Sequence, residues 1–382
     1  MNSFKAYRRL AVGVLCLALV APAVAETPIP APPQFKADGY LLIDYHTGRP
    51  LATHQANTNF EPASITKLMT AYVVFDTLKN KQINLSDEVT VSENAWRATG
   101  SRMFIEVGKK VRVDDLLQGL IVQSGNDAAI ALAEYVGGSE AGFIDLMNDY
   151  ANKLQLNDTA YANSTGLPAD GHITTAADIA ALTRHLIQEF PQYYAWYAQK
   201  EFEYNDIKQA NRNNLLWRDD SVDGVKTGHT DSAGYCLVAS AKRGEMRLIS
   251  IVLGTPSNKA RMDGSQALLD YGFRHFQTYK LFAAGEAITQ ARVFKGKNKV
   301  VELGLKQDLM VTVSRGDYEQ LSASMDVAPH LTAPVGIDTS RGLVRVRLAD
   351  QLITEQPLFA LEPVRVGGVF KRAKDEIVLW FH

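Results

Sequence analysis

The chain has almost no cysteine, no metal-binding pattern and almost no net charge, and each of these absences removes a class of function. Of 382 residues only two are cysteines, Cys16 and Cys236. Cys16 lies in an N-terminal apolar run expected to be cut off, so the mature chain would carry Cys236 alone and no intramolecular disulfide. Cys236 sits in Tyr235-Cys-Leu-Val-Ala-Ser240 and reads as a small core residue. The eight histidines are scattered, and with no His-Glu-x-x-His and no cysteine cluster, neither a metal site nor a cofactor is expected. Forty basic side chains against 42 acidic ones leave a formal charge of −2, which gives nucleic acid no electrostatic foothold. The apolar run from Leu10 to Ala21 is shorter than the roughly twenty residues a membrane span needs.

That run follows Lys5, Arg8 and Arg9 and ends in Ala23-Val24-Ala25 before Glu26, the pattern of a secretory signal over residues 1–25. Leu15, not a small residue, precedes Cys16, which speaks against lipoprotein processing. Residues 26–36, with four prolines between Thr27 and Pro33, read as an extended leader. Tyr40-Leu-Leu-Ile-Asp44 and Pro50-Leu-Ala-Thr53, joined through His46-Thr-Gly48, predict a hairpin that pairs with later strands. The middle of the chain is rich in alanine and leucine and reads as helical. Near Thr278 the texture changes to short β runs such as Val300-Val-Glu-Leu303, Leu309-Met-Val-Thr-Val313 and Leu343-Val-Arg-Val-Arg-Leu348, predicting a small all-β domain over residues 281–362. An α+β domain over residues 37–280 precedes it. In the last segment, 367–382, Phe370, Ala373, Ile377, Trp380 and Phe381 share one helical face, and Lys371, Arg372 and Lys374 cluster at its start. This pattern predicts an amphipathic helix lying in a membrane interface; the competing reading is a terminal helix packed on the β domain. Whether that domain is a spacer or docks a partner stays open, as does a homodimer.

Three short motifs carry the chemistry: Ser64-Ile-Thr-Lys67, Ser124-Gly-Asn126 and Lys226-Thr-Gly228. A chain this long carries roughly one or two Ser-x-x-Lys matches by accident, so order and context decide. Pro62-Ala63-Ser64 precedes Ile65, Leu68, Met69, Tyr72 and Val73, an apolar set at helical spacing. Pro62 marks a helix start, with Ser64 in the first turn and Lys67 one turn on. A serine there lies beside helix N–H groups that favour developing negative charge. Ser-x-Asn occurs twice. Ser92-Glu-Asn94 follows the alternating run Val89-Thr-Val91 and reads as a strand-to-helix cap. Ser124-Gly-Asn126 breaks two apolar stretches and is placed to aim polar side chains into a cleft. Val222-Asp-Gly-Val-Lys226-Thr-Gly-His-Thr230, then Tyr235 to Ser240 and Leu248 to Leu253, predict an antiparallel meander. In it Gly228 would leave the strand surface open to a peptide. His172 and Asp178 read as structural, and the loop Leu167-Pro-Ala-Asp-Gly171 as cleft lining.

The three motifs in this order, with Asn211-Arg-Asn-Asn-Leu-Leu-Trp217 and Asp223-Gly-Val-Lys-Thr-Gly-His-Thr230, resemble the penicillin-recognising serine enzymes. The similarity is to the branch of D-alanyl-D-alanine carboxypeptidases, or low-molecular-mass penicillin-binding proteins, and it extends from about Ala37 to the C-terminus. Gly125 stands where many members of the wider superfamily carry Asp. The resemblance implies that Ser64 attacks the carbonyl of the penultimate D-alanine and that Lys67, desolvated beside other cations, takes its proton. It implies an oxyanion hole from the N–H groups of Ser64 and His229. Ser124 would relay the proton to the leaving D-alanine, and Asn126 would bind the substrate amide. Lys226 would supply positive potential, Thr227 and His229 would hold the terminal carboxylate beside Gly228, and Arg261 would lie near it, with Arg212 a weaker candidate. The implied partners are peptidoglycan stem peptides, β-lactam antibiotics as acylating inhibitors, and the inner membrane surface, which places the chain in the periplasm.

The class A β-lactamases of the same superfamily deacylate with a glutamate in a Glu-x-x-Leu-Asn segment. The Leu-Asn pair between the second and third motifs here is Leu156-Asn157, and Lys153 stands where that glutamate would be. Slow hydrolysis of a penicilloyl ester is therefore expected, which disfavours a weak β-lactamase. A wall-associated scaffold is disfavoured because Ser64 and Lys67 are both intact.

Overall fold

The computed structural model describes residues 29–380; the expected signal segment and Phe381 lie outside that range. The first domain is built on a five-stranded antiparallel sheet, in the spatial order Pro50–His54, Gly39–Asp44, Met246–Thr255, Gly234–Arg243 and Val222–Thr230. The early hairpin thus pairs with the later meander, as expected, through Gly39–Asp44 against Met246–Thr255. The strand Tyr40-Leu-Leu-Ile is continuously apolar because both faces are covered. Leu41 and Ile43 point into the helical layer, while Tyr40 and Leu42 pack beneath the helix Asn258–His275. Side chains alternate across a strand, so a two-sided burial needs an apolar residue at every position.

Helices Lys67–Lys79, Asn126–Gly137, Glu140–Lys153 and Ala176–Glu189 cover the first face. Lys67–Lys79 is buried from Lys67 to Phe75 without a break, the signature of a helix enclosed on all sides. Its N-terminal end meets the strand Val222–Thr230, which is the outer strand of the sheet and so keeps one row of backbone groups for a guest.

The second domain begins with the strand Phe276–Phe282, which pairs with Leu309–Ser314. The expected border at 280/281 falls inside this strand: the helical texture ends where Asn258–His275 ends, a few residues before the first unmistakable β run. A six-stranded sheet follows, in the order Leu321–Val327, Ser340–Leu348, Gln351–Ala360, Val300–Gly304, Thr289–Phe294 and Leu331–Thr332, around its own apolar core. The domains are tied by buried polar bonds. The fully buried Asp44 carboxylate accepts from the Thr47 N–H at 2.8 Å, the Thr47 hydroxyl at 2.9 Å and the Thr278 hydroxyl at 2.6 Å. Arg49 donates to the Thr312 carbonyl, and Arg315 to that of Phe273.

The C-terminal helix spans Val369–Leu379. It lies on the β domain, but by its polar side: Asp375 accepts from the Lys295 N–H at 2.6 Å, and Lys371 donates to the Gly296 carbonyl. Phe370 is 95 % exposed, Trp380 83 % and Ile377 64 %. An apolar face docked on the domain would have buried these side chains. Among the described residues no helix is long and apolar enough to cross a membrane.

Candidate active site

Ser64 sits in a 3₁₀ turn, Ala63–Thr66, that opens directly into the helix starting at Lys67. An α-helical first turn was expected. The tighter turn eclipses residues three apart, and the Lys67 ammonium lies 3.2 Å from Ser64 Oγ. Gly166 presses on this turn from the other side, with φ at +87° and room for no side chain: a Cβ there would stand 1.8 Å from the Ala63 carbonyl oxygen.

Lys67 is 1 % exposed. Besides Ser64, its Nζ donates to Asn126 Oδ1 and to the Thr165 carbonyl, both at 2.6 Å. Burial lowers its pKa to about 7, against the opposing pull of the Asp127 carboxylate. The direction is the expected one, but the cause is desolvation alone; the neighbouring cations act on Lys226. Burial, then Lys67, Arg261 and Arg212, hold the Lys226 pKa well below that of a free lysine. A lysine near neutrality beside a serine hydroxyl can accept the serine proton at physiological pH.

Ser124 ends a π-helical turn, Gly119–Gln123, in the left-handed region at φ +65°. Its Oγ accepts from Lys226 Nζ at 2.7 Å. Asn126 opens the next helix; its Nδ2 donates to the Thr99 carbonyl at 2.6 Å while its Oδ1 holds Lys67. Much of its carboxamide is therefore spent on positioning Lys67, a duty beyond the expected contact with a substrate amide. Asp127, which the sequence reading did not single out, is buried and accepts from the N–H groups of Met103, Phe104 and Ile105. It thereby fixes the loop that brings Gly100 and Ser101 to the cleft.

The third motif forms the opposite wall. A Cβ on Gly228 would lie 3.2 Å from Ala63 Cβ, Ile65 Cγ1 and the Pro62 carbonyl. Glycine thus eases close approach of the Ser64 turn, a role beyond the open strand surface expected of it. Arg261, 7 % exposed, donates to the carbonyls of Gly228 at 3.0 Å and Cys236 at 3.2 Å; burial lowers its pKa to about 10. Its guanidinium lies over the Tyr235 ring, which also packs at a tilt against the His229 ring. Cys236 is buried, and burial pushes its thiol pKa up to about 11, in keeping with an inert core residue.

Ser64, Ser124, Asn126, Thr227, Gly228, His229 and Arg261 line a single cleft of about 430 Å³, with Arg212 at its edge. Lys67 and Lys226 lie beneath it, reaching Ser64 and Ser124. Leu167, the first residue of the loop expected there, lines it too, together with Thr165 and Gly166 just before that loop. The key contact from this loop is a backbone carbonyl, which leaves no side-chain signature; Gly166 was the available clue. No Asp or Glu is among the residues lining the cleft. A larger cleft of about 890 Å³ between the domains contains none of the motif residues.

Ser92 caps a short helix by accepting from the Ala95 N–H at 3.0 Å, as expected. His172 is structural: the Ala162 N–H donates to its Nδ1 at 2.8 Å, so Nε2 carries the proton and donates to Thr66 Oγ1 at 2.7 Å. Burial lowers its pKa to about 4. Asp178 accepts from the Asp158 N–H and the Thr159 hydroxyl.

Comparison with known proteins agrees with this geometry. Residues 26–257 match the D-alanyl-D-alanine carboxypeptidase family, and residues 276–365 match the C-terminal domain of penicillin-binding protein 5. The chain is 44% identical to D-alanyl-D-alanine carboxypeptidase DacC of Escherichia coli, over 98% of this chain and 96% of that one. Penicillin-binding protein 5 from Haemophilus influenzae superposes with a TM-score of 0.83 at 39% identity, over 88% of this chain and 99% of that one. Penicillin-binding protein D2 from Listeria monocytogenes, solved in an ampicillin-bound form, superposes with a TM-score of 0.59 at 28% identity, over 64% of this chain and all of that one.

Proposed function

The chain belongs to the D-alanyl-D-alanine carboxypeptidase family, and on that premise we propose that it removes the terminal D-alanine of peptidoglycan pentapeptide stems through an acyl-enzyme on Ser64. The observation that carries this reading is the buried Lys67, its pKa at about 7 and its ammonium 3.2 Å from the Ser64 hydroxyl.

The stem peptide lies along the outer strand Val222–Thr230, its terminal carboxylate toward Thr227, His229 and Arg261. The penultimate carbonyl faces the N–H groups of Ser64 and His229, which stabilise the oxyanion. Ser64 Oγ bonds to the carbonyl carbon as its proton passes to neutral Lys67. Collapse breaks the peptide bond, and the proton taken up by Lys67 is relayed through the Ser124 hydroxyl, held by Lys226, to the leaving amine, which returns Lys67 to its neutral form. Water then attacks the ester, with neutral Lys67 as base, and regenerates Ser64.

A β-lactam presents a strained amide and a carboxylate to the same groups, so the chain is acylated by penicillins, in keeping with the ampicillin-bound relative. The amine freed from a β-lactam stays tethered to the acyl group and crowds the side from which Lys67 would deliver water, and no carboxylate lines the cleft to activate water from elsewhere, so the adduct persists. This observation favours a penicillin target over a weak β-lactamase. The exposed apolar face of the helix Val369–Leu379 supports attachment to the periplasmic face of the inner membrane.

Incubation with a D-Ala-D-Ala-terminated pentapeptide is expected to release D-alanine with the native chain and none with Ser64→Ala. Equal release by both would refute the proposal. A chain ending at residue 366 is expected in the soluble periplasmic fraction; if it still pelleted with membranes, the attachment would be wrong.

A further inference from the structure

We propose that the hairpin joining the strands Thr289–Phe294 and Val300–Gly304 forms, together with the C-terminal helix, one composite surface that binds anionic phospholipid headgroups. This inference rests on the helix being a membrane attachment and extends the contact to a part of the β domain.

The hairpin and the helix are held as one body. The Gly367 N–H donates to the Lys295 carbonyl at 2.8 Å, and the Lys297 N–H to the Arg365 carbonyl at 2.7 Å. Lys371 donates to the carbonyls of Gly296 and Lys297. Asp375 accepts from the Lys295 N–H, and Glu376 pairs with the Lys295 ammonium. Those acidic groups are consumed in docking. Glu376 itself stays half exposed, and every charged side chain of residues 295–299 and 364–374 is basic. Lys297 and Lys299 on the hairpin, Arg365 on the approach, and Arg372 and Lys374 on the helix are all exposed, and none has an ion-pair partner among the described residues. Val300 and Val366 are exposed beside them, as is Phe370 at the first turn of the helix.

The helix alone offers a short apolar face, while basic residues near an anionic bilayer each add about five-fold in affinity. A tip that carries two lysines, tied by its backbone to the helix start, lets the domain meet headgroups as the helix meets acyl chains. Two attachment points on one rigid body also fix the tilt of the domain on the surface.

The test uses the mature full-length chain and vesicles of phosphatidylcholine, with or without phosphatidylglycerol. Lys297→Glu/Lys299→Glu is expected to bind anionic vesicles at least twenty-fold more weakly than the native chain, and neutral vesicles equally well. Lys297→Arg/Lys299→Arg should match the native chain. High salt should erase the difference, and D-alanine release from a soluble pentapeptide should be unchanged in every variant. Native-like binding of the glutamate variant to anionic vesicles overturns the hairpin's part and leaves the helix attachment standing. If a chain lacking residues 367–382 binds as tightly as the full chain, the attachment itself fails, and the composite surface with it.

Discussion

The pH dependence of acylation tests the central argument most sharply. With its pKa at about 7, Lys67 is neutral in about half of the molecules at neutral pH, against about one in 2,500 for a free lysine. Burial therefore raises the population able to take the serine proton about a thousand-fold, corresponding to about 4 kcal/mol. The single-turnover rate of acylation by a chromogenic cephalosporin should rise about ten-fold between pH 6 and 8, with a midpoint near 7. Asp127 pulls the Lys67 pKa upward, and it is not among the groups acting on Lys226. Asp127→Asn should thus move the midpoint to lower pH if Lys67 is the titrating group and leave it in place if Lys226 is. A native midpoint above pH 9, or a profile unmoved by Asp127→Asn in a chain whose melting temperature shows it folded, would refute the assignment of Lys67 as base.

Three further outcomes follow from the same geometry. Gly166→Ala should cut acylation at least a hundred-fold, because its Cβ overlaps the Ala63 carbonyl and displaces the Ser64 turn; native-like rates would show that the turn tolerates movement. Thr278→Val removes a donor from the buried Asp44 carboxylate and should cost about 1–3 kcal/mol, read as a fall in melting temperature; no fall would mean the domains do not depend on this link. Lys67→Met should change the slope of stability with pH. The native Lys67 pKa is depressed, so the unfolded chain binds more protons, and its folding penalty grows as pH falls from about 10.5 to about 7 and is constant below that. Urea unfolding at pH 8 and 9 should show the native chain gaining about 1.4 kcal/mol per pH unit more than the variant; parallel slopes would contradict a neutral buried lysine.

Much of the site was legible because its chemistry rides on side chains whose spacing survives in the linear order. Ser64 and Lys67 are three apart, and the Gly-rich strand around Lys226 announces its own edge. Distinguishing Ser92 from Ser124 was also within reach, since a cap follows a strand and a site residue interrupts two buried helices. What stayed hidden was carried by backbone or by distant contacts. The Thr165 carbonyl that holds Lys67 has no residue-type signal. The role of Asp127 depends on N–H groups more than twenty positions away. The domain border escaped because Phe276–Phe282 pairs with a partner some thirty residues downstream, so texture alone placed it late. At the C-terminus, amphipathicity marked the helix and its apolar face, but only the structure shows that Lys371 and Asp375 dock it.

The buried seam at Asp44, Thr278 and Thr312 has a mechanical consequence. It joins the peptide-cleaving domain to the β domain through buried polar bonds rather than a free linker, so the crevice moves with that domain. Were the β domain held to a lipid sheet as proposed, the crevice would work at a set altitude, and only peptide tails hanging within that stratum of the wall would come under its blade.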